Sequence, residues 1–290
     1  MAKNNALYGR LALLSTSVIW GTSFIVLKNA LENIGTLWVL AIRFSIAALM
    51  MALLARGRLK TMSRRCIRGG ILTGIALALA YIVQTYGLLY TTPGKNAFLT
   101  SIYCVMTPFL AWAVYRRRPG ASNVIAAILC VAGIGLVSLS EGFTSVNIGD
   151  LLTLGCGIFY AAQIIILEQY GDSGDAATIS AVEFLTAALL CWAGALVFET
   201  APVQVPAATW LGILYLAVMC TGVCFFLEAW GMQYTSGSTA AMIMTLEAVF
   251  AVLFSILFYH EIVTARIAFG FALIFAAVVI SEYKPTRKTA

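Results

Sequence analysis

Residues 81–92 read YIVQTYGLLYTT, and residues 225–236 read FFLEAWGMQYTS. The two stretches lie 144 residues apart and share a glycine, a tyrosine and a threonine at equivalent positions. At an offset of 140 residues, AIRFSIAALM from residue 41 aligns with AVEFLTAALL from residue 181. Because similarity at a nearly constant offset is typical of an internal repeat, the chain is predicted to be a tandem duplication.

The repeat is built from apolar stretches, each about as long as a helix that crosses a bilayer. The chain is 61% hydrophobic and 10% charged, and its mean hydropathy is +0.94, which excludes a water-soluble surface. The stretches lack the alternation of barrel strands, so the sequence predicts an all-α integral membrane protein. Its ten transmembrane helices are expected near residues 7–28, 37–55, 69–90, 97–115, 123–140, 149–169, 177–198, 209–230, 238–259 and 264–282.

Five of these helices fall in residues 1–145 and five in residues 146–290, which we take as the two repeats. An odd number of helices per repeat makes the second repeat enter the membrane from the opposite side, so the repeats are inverted. Inverted repeats are typical of transporters, because the pseudo-two-fold axis relates two packings that can exchange by rocking. The alternative is a duplication that serves stability alone.

The basic residues are distributed unevenly between the two faces of the predicted bundle. Placing the loops on alternating sides puts 14 of the 18 lysines and arginines on one face, together with both termini. The positive-inside rule makes that face cytoplasmic, which predicts a multi-pass protein of the plasma membrane. The net charge of +6 then reflects loops that contact lipid headgroups, and nucleic acid is not expected as a partner.

Three stretches resemble a known family: VIWGTSFIVLK from residue 18, GLLYTTPGKNAFLTSIYCVMTPFLAWAVY from residue 87, and TLEAVFAVLFSILFYHEIVTARIAFGFALIFAAVVI from residue 245. They are similar to the two EamA repeats of the drug/metabolite transporter superfamily. The resemblance implies ten helices, cytoplasmic termini, a central cavity between the repeats, and movement of small metabolites or amino acids, often outward. Family members often carry proline after the glutamate of the ninth helix. This chain has Ala248 after Glu247, so the resemblance does not carry over a bend there.

Four ionisable residues lie within the predicted helices, namely Arg43, Glu183, Glu228 and Glu247. Each costs at least about 2.5 kcal/mol at the membrane centre unless it faces protein or water. Glu247 lies roughly 15 Å along the ninth helix, close to the midplane, and Tyr103 is its repeat equivalent. A carboxylate beside a phenol at this depth could bind a cationic amine or carry a proton. The alternative is a protonated glutamic acid that bonds a neighbouring helix.

Arg43 and Glu183 are repeat equivalents, but inversion places them near opposite faces, roughly 12 Å apart in depth. We therefore expect them to act singly. Arg43 could bind a substrate carboxylate or tie helix ends together. Glu228 is expected near the cytoplasmic end of the eighth helix, as a solvated gate or an interfacial residue. Glu261, just after the ninth helix, is expected to make only local contacts.

Aromatic residues recur at depth in both repeats, where Trp20 is equivalent to Tyr160 and Tyr81 is equivalent to Phe225. Together with Tyr103 they could line a pocket for an organic cation or an apolar side chain, or they could serve packing alone. The seven cysteines show no disulfide or metal-ligand pattern, and no metal or cofactor is expected.

These features favour a secondary active transporter for a small organic metabolite, such as an amino acid, an amine or a drug-like solute. It would export its substrate by alternating access, with proton coupling or exchange. The alternative on the same scaffold is a lipid flippase or an exchanger of nucleotide-like metabolites, which a laterally open, basic cavity would indicate. An enzyme is not expected, because the sequence has no HExxH motif, no phosphate-binding loop and no nucleophile beside a base. The oligomeric state is left open.

Overall fold

In the computed structural model, residues 2–116, 118–138, 147–170, 174–235 and 237–282 are described, and every regular element in these ranges is helical. The first half contains α1 (Ala2–Ala30), α2 (Thr36–Ala55), α3 (Arg64–Tyr90), α4 (Pro93–Thr100), α5 (Tyr103–Tyr115) and α6 (Ala121–Ser138). The second half contains α7 (Ile148–Tyr170), α8 (Ala176–Phe198), α9 (Ala207–Ala217), α10 (Cys224–Met232), α11 (Gly237–Met244), α12 (Leu246–Tyr259) and α13 (Ala265–Glu282). A 3₁₀ turn, Leu59–Thr61, precedes α3, and a π-helix, Val218–Val223, joins α9 to α10.

The helices have the length and composition that crossing a membrane requires. Among the described residues, eight helical segments have at least 18 residues and a hydropathy between 1.6 and 2.2. Two of them combine neighbouring helices, α4 with α5 and α9 with α10, and two shorter apolar helices, Leu246–Tyr259 and Ala265–Ser281, complete the set. The prediction of an all-α membrane fold is confirmed.

Two spans are broken near their middles, at equivalent positions in the two halves. The first break, at Ser101 and Ile102, separates α4 from α5, and the second, at Thr245, separates α11 from α12. Pro108 lies within α5, where its ring excludes the usual bond to the Cys104 carbonyl. The Ser281 hydroxyl donates to that carbonyl instead, at 3.2 Å. The second break has no nearby proline, so the absence of proline after Glu247 does not preserve a continuous helix.

Each major contact between two helices has an equivalent contact that is related to it by the internal repeat. Helix α3 packs on α7 as α10 packs on α1, and α5 packs on α7 as α12 packs on α1. Two further large interfaces, α2 with α8 and α6 with α13, join equivalent helices of the two halves, and α3 packs on α8 as α9 packs on α2. This pattern is expected of two repeats related by a pseudo-two-fold axis.

Two equivalent glycine pairs each bring a helix of the first half into backbone contact with a helix of the second half. A Cβ atom added to Gly87 of α3 would lie 2.9 Å from the carbonyl oxygen of Gly149 in α7. A Cβ atom added to Gly9 of α1 would lie 3.0 Å from the carbonyl oxygen of Gly231 in α10. The offsets of 140 and 144 residues make the two pairs equivalent, and they lie near opposite faces of the bundle. Small residues at such crossings are what allow close helix approach in membranes.

We call the face at which α1 and α3 begin the basic face, and the other the opposite face. At the opposite face the Lys28 ammonium group donates to the carbonyl oxygens of Leu88, Leu89 and Thr91, at 2.5, 3.0 and 3.0 Å. The last carbonyl groups of a helix have no partner within that helix. Lys28 therefore caps α3 from α1.

Glu261 joins the two halves at the opposite face. Its carboxylate accepts hydrogen bonds from the Gly94 amide at 2.9 Å, from the Ser255 hydroxyl at 2.5 Å, and from the Thr92 hydroxyl. A Cβ atom on Gly94 would lie 2.6 Å from Glu261 Oε2, so glycine is required for this approach. The expectation that Glu261 makes only local contacts is wrong, because Thr92 and Gly94 belong to the start of α4.

Asp175 caps α8 at the basic face. Its carboxylate accepts the Thr178 amide at 3.2 Å and the Thr178 hydroxyl, and it pairs with the Arg58 guanidinium at 2.7 Å. Burial tends to raise the pKa of Asp175, but hydrogen bonds from Thr178 and Arg58 outweigh burial and lower the pKa below its ordinary value of 3.8. The folded state thus favours the charged carboxylate.

We expect Asp175→Ala to destabilise the protein by about 1 kcal/mol at pH 7, the usual cost of losing an N-cap. Asp175→Asn is the matched control, because its amide oxygen can still cap the helix, and it should keep most of the stability. Folding lowers the pKa of Asp175. The stability that its negative charge contributes is therefore fully present above the ordinary pKa of 3.8, and it is lost as pH falls through the pKa of the folded state. Thermal unfolding in detergent at pH 7 and at pH 3 checks this, and an equal loss for both variants at pH 7 would contradict the capping role.

Candidate functional site

The π-helix Val218–Val223 positions two of the predicted site residues. In its wider turn the Thr221 hydroxyl donates to the Leu216 carbonyl, five residues earlier, at 2.9 Å. The Trp20 indole donates to the Cys220 carbonyl at 2.6 Å, and Arg43 Nε donates to the Thr221 hydroxyl at 2.9 Å. Single π-helical turns within α-helices are frequent at functional sites. Here the turn anchors α1 and α2 to the second half.

Arg43 is held by protein contacts on several sides. Its side chain is 2% exposed, and its guanidinium carbon lies 4.9 Å from the centre of the Tyr81 ring. Besides the bond to Thr221, Nη2 lies 3.5 Å from the Tyr81 hydroxyl. This geometry supports the structural alternative, in which Arg43 ties helices together and orients Tyr81 through a cation–π contact.

The aromatic residues predicted to line a pocket form one cluster. The ring centroids of Tyr81 and Tyr160 are 5.6 Å apart, and those of Tyr103 and Tyr160 are 5.7 Å apart. Trp20 meets Phe225 edge to face at 5.8 Å. The rings of Phe184 and Phe44 join Phe225 to Tyr81, and all five predicted side chains are only partly buried. They therefore lie where α1, α3, α5, α7 and α10 meet.

A polar network that sequence reasoning missed supports this cluster. The Tyr160 hydroxyl donates to Gln84 Oε1 at 2.8 Å, and Gln84 Nε2 donates to the Thr100 hydroxyl at 2.8 Å. Gln84 is the repeat equivalent of Glu228, so the alignment of residues 81–92 with 225–236 could have identified it. In the first half this position is an amide bonded on both sides.

Glu183 is also tied to a neighbour. Its carboxylate is 2% exposed and accepts a hydrogen bond from Gln163 Nε2 at 2.8 Å. Its backbone carbonyl approaches Gly74 closely, at the contact between α8 and α3. Consistent with the expectation that Arg43 and Glu183 act singly, each has its own set of partners. Gln163 has no polar equivalent of similar length in the first half, where residue 23 is serine.

Glu228 and Glu247 differ from the other two ionisable residues. Both side chains are partly exposed, and the two carboxylates lie within range of each other's charge and of the Tyr103 ring. Within the described ranges neither carboxylate has a hydrogen-bond partner. Glu228 also lies within range of the charge on Glu183. Glu228 thus lies within range of both Glu183 and Glu247, about one turn before the end of α10, and its role as a gate or an interfacial residue stays a prediction.

The break at Thr245 sets the surroundings of Glu247, which lies in the first turn of α12. Its equivalent, Tyr103, begins α5 directly after the first break. The amide groups in the first turn of a helix have no partner within the helix and carry partial positive charge. A carboxylate in the first turn of α12 can therefore interact with these amide groups.

The eight predicted residues thus separate into two groups. Arg43 and Glu183 are buried and bonded to protein. The other six are partly exposed and lie where α1, α3, α5, α7 and α10 meet α12, a region that we call the central site: Trp20, Tyr81, Tyr103, Tyr160, Glu228 and Glu247. Among the described residues, no group of three or more histidine, cysteine, aspartate or glutamate side chains could hold a metal ion. The polar groups of the central site can bind a cation or exchange a proton, and its rings can cover an apolar body.

Comparisons with known proteins agree with this architecture. The chain is 34% identical to an uncharacterized transporter of Archaeoglobus fulgidus over 274 residues, which cover 94% of this chain and 85% of that protein. It is 20% identical to the uncharacterized transporter YoaV of Bacillus subtilis, with 96% of this chain and 98% of that protein covered. The crystal structure of another protein superposes on this chain with a TM-score of 0.67 at 16% identity, covering 94% of this chain and 95% of that one.

The profile of the EamA-like transporter family matches the chain twice, at residues 7–139 and 147–283. The two matches together cover nearly the whole sequence and agree with the internal repeat. The resemblance noted in the sequence is confirmed, and the chain belongs to the EamA-like transporter family, with two EamA repeats in one multi-pass membrane protein.

Proposed function

We propose that this transporter exports a small organic solute that carries positive charge, such as an amine, by alternating access in exchange for protons. Its halves, residues 1–145 and 146–290, would rock about the central site. Both termini would lie on the cytoplasmic side of the plasma membrane, because the basic residues collect on that face.

The observation that carries the proposal is the pair of carboxylates, Glu228 and Glu247. They face the central site without hydrogen-bond partners among the described residues, while Arg43 is occupied by Thr221 and Tyr81. A cationic substrate would satisfy both carboxylates, and the rings of Tyr103 and Tyr160 could cover its apolar part. When the substrate leaves, protons could neutralise the same groups.

The same charges disfavour the alternative cargo. A nucleotide-like substrate would bring phosphate charge next to two carboxylates, and the Arg43 guanidinium group is already bonded to protein. Arginine clusters or free helix N-termini are the usual binding groups for phosphate. We therefore rank an exchanger of anionic metabolites, or a flippase for anionic lipids, second.

The test measures uptake of radiolabelled compounds into liposomes that contain the full-length protein, because exchange of an amine cation for an equal charge of protons produces no current. Putrescine, tryptamine, an aromatic amino acid and a nucleoside monophosphate are presented with and without a pH gradient, and empty liposomes correct for leak. We expect uptake of the amines that depends on the pH gradient and no uptake of the nucleotide. Uptake restricted to the anionic compound, or no uptake of either amine, would overturn the proposal.

A further inference from the structure

We propose that the start of α3 binds an anionic phospholipid, with the lipid phosphate between Arg64 and Arg68 and an acyl chain along Ile67, Ile71 and Leu72. These five residues line a groove of about 260 Å³ on the outer surface of α3 at the basic face. The site lies away from the central site, so the inference does not depend on the proposed substrate.

The two arginines are available for a ligand. Six basic residues lie between residues 56 and 68, and two of them are occupied by protein contacts. Arg58 pairs with Asp175, while Arg65 donates to the Gln169 carbonyl at 2.9 Å and lies 5.9 Å from the Tyr170 ring centre. In the part of the chain that the structure describes, Arg64 and Arg68 are exposed and have neither a hydrogen-bond nor an ion-pair partner.

Helical geometry places both arginines where a single phosphate could meet them. They are four residues apart, so their side chains lie above one another on the same face of α3. The side chain of Ser63 caps the helix by accepting the Cys66 amide at 3.0 Å, which fixes the first turn. Guanidinium groups bind phosphate oxygens through paired hydrogen bonds, and partial positive charge at the helix start adds to this attraction.

The apolar part of the groove matches the rest of a lipid. Ile67 and Ile71 are 39% and 41% exposed and are one helical turn apart, directly beside the arginines. The opposite side of α3 faces protein, where Gly70 and Gly74 contact α8. A phospholipid has its charged headgroup at the membrane surface and its acyl chains towards the membrane centre. The arginines at the start of α3, followed by the exposed isoleucines, match this order. Basic pockets at this depth commonly hold anionic lipid headgroups.

The experiment measures lipid binding to the purified protein by native mass spectrometry. Phosphatidylglycerol and phosphatidylcholine with identical chains are titrated separately. We expect phosphatidylglycerol to bind at least fivefold more tightly, and we expect Arg64→Ala/Arg68→Ala to remove most of this preference. The matched control is Arg56→Ala/Lys60→Ala, which removes the same charge from the preceding exposed segment, and it should keep more than half of the preference.

Two further measurements keep the result interpretable. Thermal unfolding in detergent without added lipid should be the same for both double variants, since all four residues are exposed and lack protein partners in the described ranges. Soluble glycerol phosphate at millimolar concentration should not compete, because it lacks the acyl chain. Equal losses in both double variants would show a general charge effect and overturn the proposal, as would competition by glycerol phosphate or the absence of a preference.

Discussion

Glu247→Gln should abolish the effect of a pH gradient on amine transport while leaving the protein folded. The carboxylate of Glu247 lies in the first turn of α12, borders the central site, and has no hydrogen-bond partner among the described residues. Glutamine keeps the size of the side chain but cannot exchange a proton. We expect uptake driven by a pH gradient to fall at least tenfold, and downhill amine flux to lose its dependence on pH.

The control for this prediction is Glu32→Gln, which makes the same chemical change on an exposed residue at the opposite face. It should transport like the wild type. Glu228→Gln separates binding from coupling, since it removes the neighbouring charge but leaves Glu247 intact. If Glu247→Gln retains full pH-dependent transport in liposomes, Glu247 does not couple protons, whatever amine the protein carries.

Glu261→Ala should produce the largest loss of stability among the substitutions considered. It leaves the Thr92 hydroxyl, the Gly94 amide and the Ser255 hydroxyl without their acceptor at a position that is 9% exposed. A buried donor without a partner costs about 1–3 kcal/mol, and the effects within one network are not additive. We expect a total loss of about 3–5 kcal/mol, measured by denaturant or thermal unfolding in detergent.

Two variants bracket this effect. Glu32→Ala removes a glutamate from an exposed position on the same face and should change stability by less than about 0.5 kcal/mol. Glu261→Gln restores one acceptor oxygen but directs an amide hydrogen at another donor, so its stability should fall between the wild type and Glu261→Ala. Wild-type stability of Glu261→Ala would show that water replaces the carboxylate and that this junction does not hold the halves together.

The helices were predictable because membrane spans are the simplest pattern to recognise in a sequence. Lipid requires about twenty apolar residues per span, and most expected boundaries agree with the observed ones within about five residues. The breaks were harder to predict, because a break depends on which carbonyl groups find partners elsewhere. Pro108 lies within α5 rather than at the break at Ser101 and Ile102, and no proline lies near the break at Thr245.

The charged and aromatic residues of the candidate site could be predicted from the sequence, but their hydrogen-bond partners could not. Ionisable residues stand out in an apolar helix, so Glu228 and Glu247 were found directly. The internal repeat gave no indication of the π-helix, because residues 74–79, its equivalents in the first half, form an ordinary α-helix. The amide side chains of Gln84 and Gln163 were missed because their roles depend on distances between helices, which a single sequence does not contain.

Substitutions at the two glycine pairs could change the relative populations of the two conformations of this transporter. Gly87 with Gly149 and Gly9 with Gly231 make nearly the same backbone contact near opposite faces. If access alternates as proposed, each conformation would tighten one pair and loosen the other. Tenfold in population corresponds to about 1.4 kcal/mol, so one added methyl group at either pair would be enough to favour one conformation. A substitution at one pair or the other could therefore trap either conformation for structural study.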